Sequence, residues 1–198
     1  MLNQMKALFN RETGVFAFPS KLDSGFCDEV ISLASSSFKE ATIIDDTDCE
    51  KVASGWRKSE VYWTTDQWIV DAIWPFMEVA NELSGQMFDI ERVEDIQVTK
   101  YKPGCFYEFH VDSYSSHHFK DSHGKVRKLS MTVQLNDDYE GGELQVARIS
   151  RGEIQIDTME KAKGTVIVFP SSLEHQVKKV TSGERYSLVA WFKGPPLR

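Results

Sequence analysis

The stretch YKPGCFYEFHVDSY, residues 101–114, sets a histidine and an aspartate two positions apart, His110 and Asp112. In an extended strand, residues i and i+2 point to the same side. The pair would therefore aim an imidazole and a carboxylate into one space. Alone, it also reads as a partly exposed ion pair at a strand end. A third group widens the chemistry. His175 follows the apolar run TVIVFP and opens the next strand-like segment. Two imidazoles and one carboxylate on one face of a metal ion leave three positions open. That arrangement suits iron(II) oxygenases, which hold a cosubstrate and oxygen together. The alternative for His175 is a core histidine bonded to a backbone carbonyl.

Arg185 opens the segment RYSLVAWF. As a strand, this segment puts Arg185, Ser187, Val189 and Trp191 on one face and Tyr186, Leu188, Ala190 and Phe192 on the other. Both faces are mainly apolar beyond Arg185, as in a strand buried between layers. A guanidinium inside such an interior needs an anion, because an unpaired buried charge costs several kcal/mol or more. A dicarboxylate held through two parallel hydrogen bonds would supply it. So would a salt bridge to one of the 30 acidic residues.

Elements must position these groups. Asp23 or Ser24 can cap a helix over SGFCDEVISLASSSFKE, in which Phe26, Val30, Leu33 and Ala34 recur at helical spacing. Thr65 can cap a second helix that ends at Gly85, with Trp68, Ala72, Phe76, Val79 and Leu83 as its apolar stripe and Pro75 placed to kink it. From about Arg92, short β-branched and aromatic segments alternate with turn residues. Strands are expected near Val93–Tyr101, Phe106–Asp112, Lys128–Leu135, Glu143–Ala147, Ile154–Asp157, Thr165–Phe169, His175–Val180 and Arg185–Phe192. Helices followed by many short strands predict one mainly β domain over 1–198. It would have a helical or mixed part to about residue 91 and a jelly-roll core over about 92–193, with the helices backing the major sheet.

The chain has 198 residues, 41% hydrophobic and 27% charged, with a net charge of -7. A soluble globular domain with a real core is expected. The acidic balance and lack of a basic stripe argue against a nucleic-acid partner. No apolar run reaches membrane-spanning length, and the N-terminus lacks the pattern of a signal peptide. Cys27, Cys49 and Cys105 are odd in number and unpaired in spacing, which fits a reducing compartment, the cytoplasm.

The pattern Y-x-x-G, H-x-D, GGEL, then His175 with Arg185 and Trp191 behind it, resembles the 2-oxoglutarate and iron(II)-dependent dioxygenases, in their prolyl 4-hydroxylase-like branch. The resemblance runs from Trp56 to Phe192. It implies a double-stranded β-helix, or jelly roll. It implies His110, Asp112 and His175 as catalytic iron ligands, and Arg185 and Tyr101 as grips on the distal carboxylate of 2-oxoglutarate. Trp191 would line the cosubstrate pocket. Leu144 falls where some members carry a threonine, so it removes one possible hydrogen bond. The segment WRKSEVYW resembles an R-x-S element on a mobile loop over the site, making Arg57 and Ser59 candidate substrate contacts, with Arg127 as another basic position nearby. For these three, an exposed surface role is the alternative.

The resemblance implies iron(II), 2-oxoglutarate and oxygen as cofactor and cosubstrates, with ascorbate as a candidate reductant. The reaction would be hydroxylation of an unactivated C–H bond, first of a prolyl residue in a peptide or protein. A free amino acid or other small molecule is the alternative substrate. A non-catalytic jelly-roll binding module is the reading from a different class. The polar segment SYSSHHFKDSHGKV is long enough to act as a lid, and its His117, His118 and His123 read as solvated side chains.

Overall fold

A computed structural model describes residues 7–44, 50–51, 55–113, 121, 123–150 and 152–196. The polar segment read as a lid, with His117 and His118, lies mostly outside the described residues, as does Cys49. Two antiparallel sheets carry the fold. The larger has nine strands, eight of them in the order Leu8–Asn10, Val15–Phe18, Val166–Pro170, Val126–Gln134, Arg185–Gly194, Ile96–Tyr101, Glu60–Thr64 and Lys39–Glu40. The ninth, Arg92–Val93, pairs with the end of Arg185–Gly194. The smaller sheet orders Glu153–Thr158, Leu144–Ser150, His175–Val177, Phe106–His110 and Arg57–Lys58. Tyr101, Ile167 and Phe169 of the large sheet pack with Leu144, Val146 and Val177 of the small one. This face-to-face sandwich is the jelly roll that the strand pattern predicts.

The large sheet separates its two faces by the period of the strand. Register pairs Arg185 with Tyr101, Gln134 with Ser187, Thr132 with Val189 and Ser130 with Trp191, so these residues line the inner face. Met131, Val133, Val98, Leu188, Ala190 and Phe192 lie on the other face and join the main core. Helices α1 (Ser24–Ala34) and α2 (Gln67–Leu83) cover that outer face with Cys27, Val30, Ala34, Ile69, Ile73, Phe76, Met77 and Ala80. Burying a side chain such as Phe192 fully is worth about 1.5–3 kcal/mol relative to leaving it in water.

The helices differ from expectation in detail. Asp23 caps α1, accepting from the Phe26 amide at 2.8 Å. The helix stops at Ala34 because serines follow and bond locally instead: Ser35 donates from Oγ to the Ser32 carbonyl. Helix α2 begins after Asp66 rather than at Thr65, without a side-chain cap, and carries Pro75 inside it. Its buried stripe is turned by about one residue, so Trp68 and Leu83 are exposed while Ile69 and Ile73 are buried. The first ninety residues, expected as a helical or mixed part, also carry strands that the sequence pattern does not mark individually. The hairpin Leu8–Asn10/Val15–Phe18 extends one edge of the large sheet and Glu60–Thr64 pairs with Ile96–Tyr101. Among the described residues, no helix is long and apolar enough to cross a membrane.

Candidate active site

Phe106–His110 and His175–Val177 are neighbours in the small sheet, with His110 opposite His175. The strand ends at His110, and the register shifts between Tyr107 and His110. Asp112 therefore lies past the strand rather than within it, correcting the i, i+2 argument. Its position comes instead from the backbone: the amides of Asp112 and Ser113 both donate to the Ser171 carbonyl at 2.9 Å. The outcome is the expected convergence. One ligand atom from each of His110, Asp112 and His175 lies within 4.8 Å of the others. Nε2 of His175 is 3.5 Å from Asp112 Oδ2, and Nε2 of His110 is 3.9 Å from Oδ1.

Each ring is oriented by its other nitrogen. His110 Nδ1 meets the Glu108 carbonyl at 2.8 Å and His175 Nδ1 meets the Leu173 carbonyl at 2.9 Å. A carbonyl can only accept, so Nδ1 carries the proton and Nε2 keeps its lone pair toward the centre. Burial and the neighbouring His175 push His110 down to about 4, so it is neutral at pH 7. Tyr107 stacks on His110 with centroids 3.6 Å apart, and Arg57 lies 4.7 Å from the centre of the Tyr107 ring. Burial works to raise the Asp112 carboxyl, but His175, Arg127 and His110 and a bond from Ser130 outweigh it and hold it below the usual range. That bond runs from Ser130 Oγ to Asp112 Oδ2 at 2.7 Å, and Ser130 Oγ also meets Ser171 Oγ at 2.9 Å.

A cavity of about 660 Å³ joins this centre to the large sheet. Arg185 lines it and is 1% exposed. The guanidinium donates from Nη1 to Ser187 Oγ and from Nη2 to Gln134 Oε1, each at 3.0 Å, and lies 5.3 Å over the Tyr101 ring. Nε has no partner, and no carboxylate pairs with Arg185 among the described residues. The salt-bridge alternative is absent there. Tyr101, Leu144 and Trp191 line the same cavity. Trp191 Nε1 is buried without a partner among the described residues, and its ring faces Arg127 at 3.9 Å.

The three candidate substrate contacts fall differently. Arg57 lies on a short strand of the small sheet, paired with Tyr107, rather than on a loop, and it is buried. Ser59 is buried too, outside the cavity lining, and its Oγ accepts from Arg57 Nε at 2.9 Å. Arg127 is tied to Glu94 by two bonds of 2.8 and 2.6 Å, with Nη1 4.0 Å from Asp112 Oδ1. Neither arginine is the exposed surface residue of the alternative.

The profile of the 2OG-Fe(II) oxygenase superfamily matches residues 96–193, the span that holds all three converging ligands and Arg185. The chain belongs to this superfamily. Among its curated relatives, a PKHD-type hydroxylase of Synechococcus sp. strain CC9902 is 37% identical over 106 residues, 52% of this chain and 43% of that protein. One from Prochlorococcus marinus is 31% identical over 141 residues, 69% of this chain and 56% of its own. The chain thus spans about half the length of these curated relatives. Solved structures share the superfamily fold. A prolyl-4-hydroxylase of Pseudomonas putida superimposes with a TM-score of 0.68 at 20% identity, covering 91% of this chain and 92% of its own. A viral collagen prolyl hydroxylase from Paramecium Bursaria Chlorella virus-1 gives 0.67 at 22%, covering 91% and 96%.

Within the superfamily site, the sequence reading passed over Ser130, Gln134, Tyr107 and Glu94. A signal for two of them was present. In KLSMTVQL, Ser130, Thr132 and Gln134 alternate with Leu129, Met131, Val133 and Leu135, which marks a buried strand with one polar face.

Proposed function

We propose that this chain is a 2-oxoglutarate- and iron(II)-dependent dioxygenase. It hydroxylates an unactivated C–H bond of a prolyl residue in a peptide or protein and decarboxylates 2-oxoglutarate to succinate and carbon dioxide. The observation that carries this reading is a single cavity holding both a convergent His110–Asp112–His175 set and a buried Arg185 with no acid partner among the described residues. The donor set fits iron(II): two imidazoles with free Nε2 atoms and an ionised carboxylate. Arg185 fits a dicarboxylate, which would neutralise a charge that no described acidic residue pairs.

In this reading His110, Asp112 and His175 hold the iron. Ser130 fixes the Asp112 carboxylate, and the Glu108 and Leu173 carbonyls fix the two rings. Arg185 and Tyr101 take the distal carboxylate, with Leu144 as an apolar wall along the chain. When bound, iron and 2-oxoglutarate supply the oxygen activation and hydrogen abstraction. The protein orients them and limits water. Trp191 lines the cosubstrate pocket, and Tyr107, Arg57 and Arg127 remain to shape the substrate end.

A polypeptide substrate is supported by the mouth of the cavity, where Trp56 and Trp63 line it while remaining exposed. The names of the relatives point the same way. A prolyl hydroxylase from Trichoplax adhaerens, of similar fold, was solved with a hypoxia inducible factor peptide fragment. Cys27 and Cys105 are free and buried, which supports a reducing compartment such as the cytoplasm, where ascorbate would serve as reductant. The test is incubation of a proline-containing peptide library with iron(II), ascorbate and 2-oxoglutarate. Succinate formation with gain of one oxygen on proline is expected. Oxygen gained only by free amino acids would move the substrate to small molecules, and no metal-dependent binding of 2-oxoglutarate would overturn the enzyme reading.

A further inference from the structure

Arg185 offers more donors than the described residues use. A guanidinium carries five N–H groups. One goes to Ser187 and one to Gln134, leaving three, of which Nε is buried and unpartnered. A carboxylate held through two parallel bonds takes two. One donor is left over in an interior where an unmet donor is costly.

A second orphan lies beside it. Tyr139 is buried, and its hydroxyl has no partner among the described residues. Its ring edge and the Arg185 stem meet over Gly142: a Cβ there would lie 3.1 Å from Arg185 Cδ and 3.3 Å from Tyr139 Cε2. Gly142 has φ +66, so only a glycine makes that approach without strain. Lys161 fastens Tyr139 from behind, donating to its carbonyl at 2.6 Å and lying 4.5 Å from the ring centroid. Burial raises the phenol's pKa more than the charge and polar proximity of Arg185 lower it, so the hydroxyl stays neutral, lies close to Arg185 without an aligned bond, and can accept or donate. Leu144, which lines the cavity with Arg185, contributes no polar atom.

We infer that Tyr139 is a positioning residue for the cosubstrate: its hydroxyl accepts the spare Nε–H of Arg185 when a dicarboxylate is bound, and so locks the guanidinium with its other two free N–H groups facing the carboxylate. This rests on the proposed role of Arg185. Tyr139→Phe removes the hydroxyl and keeps the ring, so the packing over Gly142 persists.

The test is titration calorimetry of 2-oxoglutarate into Mn(II)-loaded protein, with Mn(II) affinity measured separately in the absence of 2-oxoglutarate. Tyr139→Phe should weaken 2-oxoglutarate binding about ten- to a hundredfold, the scale of a lost hydrogen bond to a charged group, with Mn(II) affinity within about twofold of wild type. Equal 2-oxoglutarate affinity in both proteins overturns the inference. Parallel loss of Mn(II) and 2-oxoglutarate affinity shows a structural role and also overturns it. If wild-type protein with Mn(II) binds no 2-oxoglutarate, the function reading itself falls, and the inference falls with it.

Discussion

The two sheets divide the molecule's labour unequally. The large sheet is covered on its outer face by α1 and α2, and most of the main core belongs to it and to the helices. The small sheet supplies His110 and His175, with Asp112 just beyond a strand end, and bears exposed isoleucines at its edge: Ile149 at 80% and Ile154 at 74%. Stability is concentrated in one sheet and the candidate metal donors in the other. The inner face of the large sheet then reaches across the gap, with Ser130 bonded to Asp112 and Arg185 lining the same cavity. A site placed between a heavily packed layer and a lightly packed one can lose a ligand without losing the fold.

Asp112→Ala is the strongest challenge to that division. Turnover dependent on iron should fall by on the order of a thousandfold or more, the scale of removing one member of an interdependent set. The urea midpoint of the metal-free protein should move little. An accompanying collapse in stability would show that the small sheet depends on its own chemistry. Phe192→Ala tests the other side. This fully buried ring packs edge-on against Trp74 at 5.8 Å. Its loss should cost about 3–5 kcal/mol in chemical denaturation.

Ser130→Ala probes the link between the sheets. The large sheet would lose its direct bond to Asp112, and Mn(II) affinity should fall about ten- to a hundredfold, as for other partners of metal ligands. An unchanged affinity would make the link incidental. Glu94 supplies a pH test. Burial raises its carboxyl, but Arg127 and Lys193 overcome this and hold it below its ordinary value. A depressed carboxylate stabilises the fold above its unfolded pKa, and that contribution is lost as pH falls through the folded value. Wild-type thermal stability should therefore decline below about pH 4.5. Asp121 is also lowered and adds to that decline. Glu94→Gln should start lower at neutral pH and show a shallower acid limb.

How much of this was written in the sequence depends on whether a residue's job is local or crosses the sheets. Arg185, Ser187 and Trp191 share a strand face by the two-residue period alone, and the structure keeps them there. The convergence of His110, Asp112 and His175 was anticipated, but the route to Asp112 was not, because the Ser171 carbonyl that holds it is remote in sequence. Ser59 looked like a substrate contact and is a buried acceptor for Arg57, since spacing cannot say which of two neighbours faces the cavity. The N-terminal strands were missed for a related reason. Lys39–Glu40 and Glu60–Thr64 gain their partners only from distant strands, so their local pattern is weak.

The smallest expected effect bears on the bare edge of the small sheet. Ile149 and Ile154 are cross-strand partners, and Ile156 follows two residues on, so the three share the outward face of the Leu144–Ser150/Glu153–Thr158 hairpin. Val146, Arg148 and Asp157 point the other way, where Arg148 Nε binds Asp157 at 2.9 Å. The outward isoleucines are not in either core cluster. Ile154→Lys should therefore change unfolding free energy by no more than about 0.5 kcal/mol, the range for surface substitutions away from special features. It should leave 2-oxoglutarate binding as it is, because the hairpin's contribution to the cavity comes through Leu144 on its opposite face. A loss of more than about 1 kcal/mol in urea unfolding would mean that the small sheet carries stability through its outer surface, and the unequal division between the sheets would no longer hold.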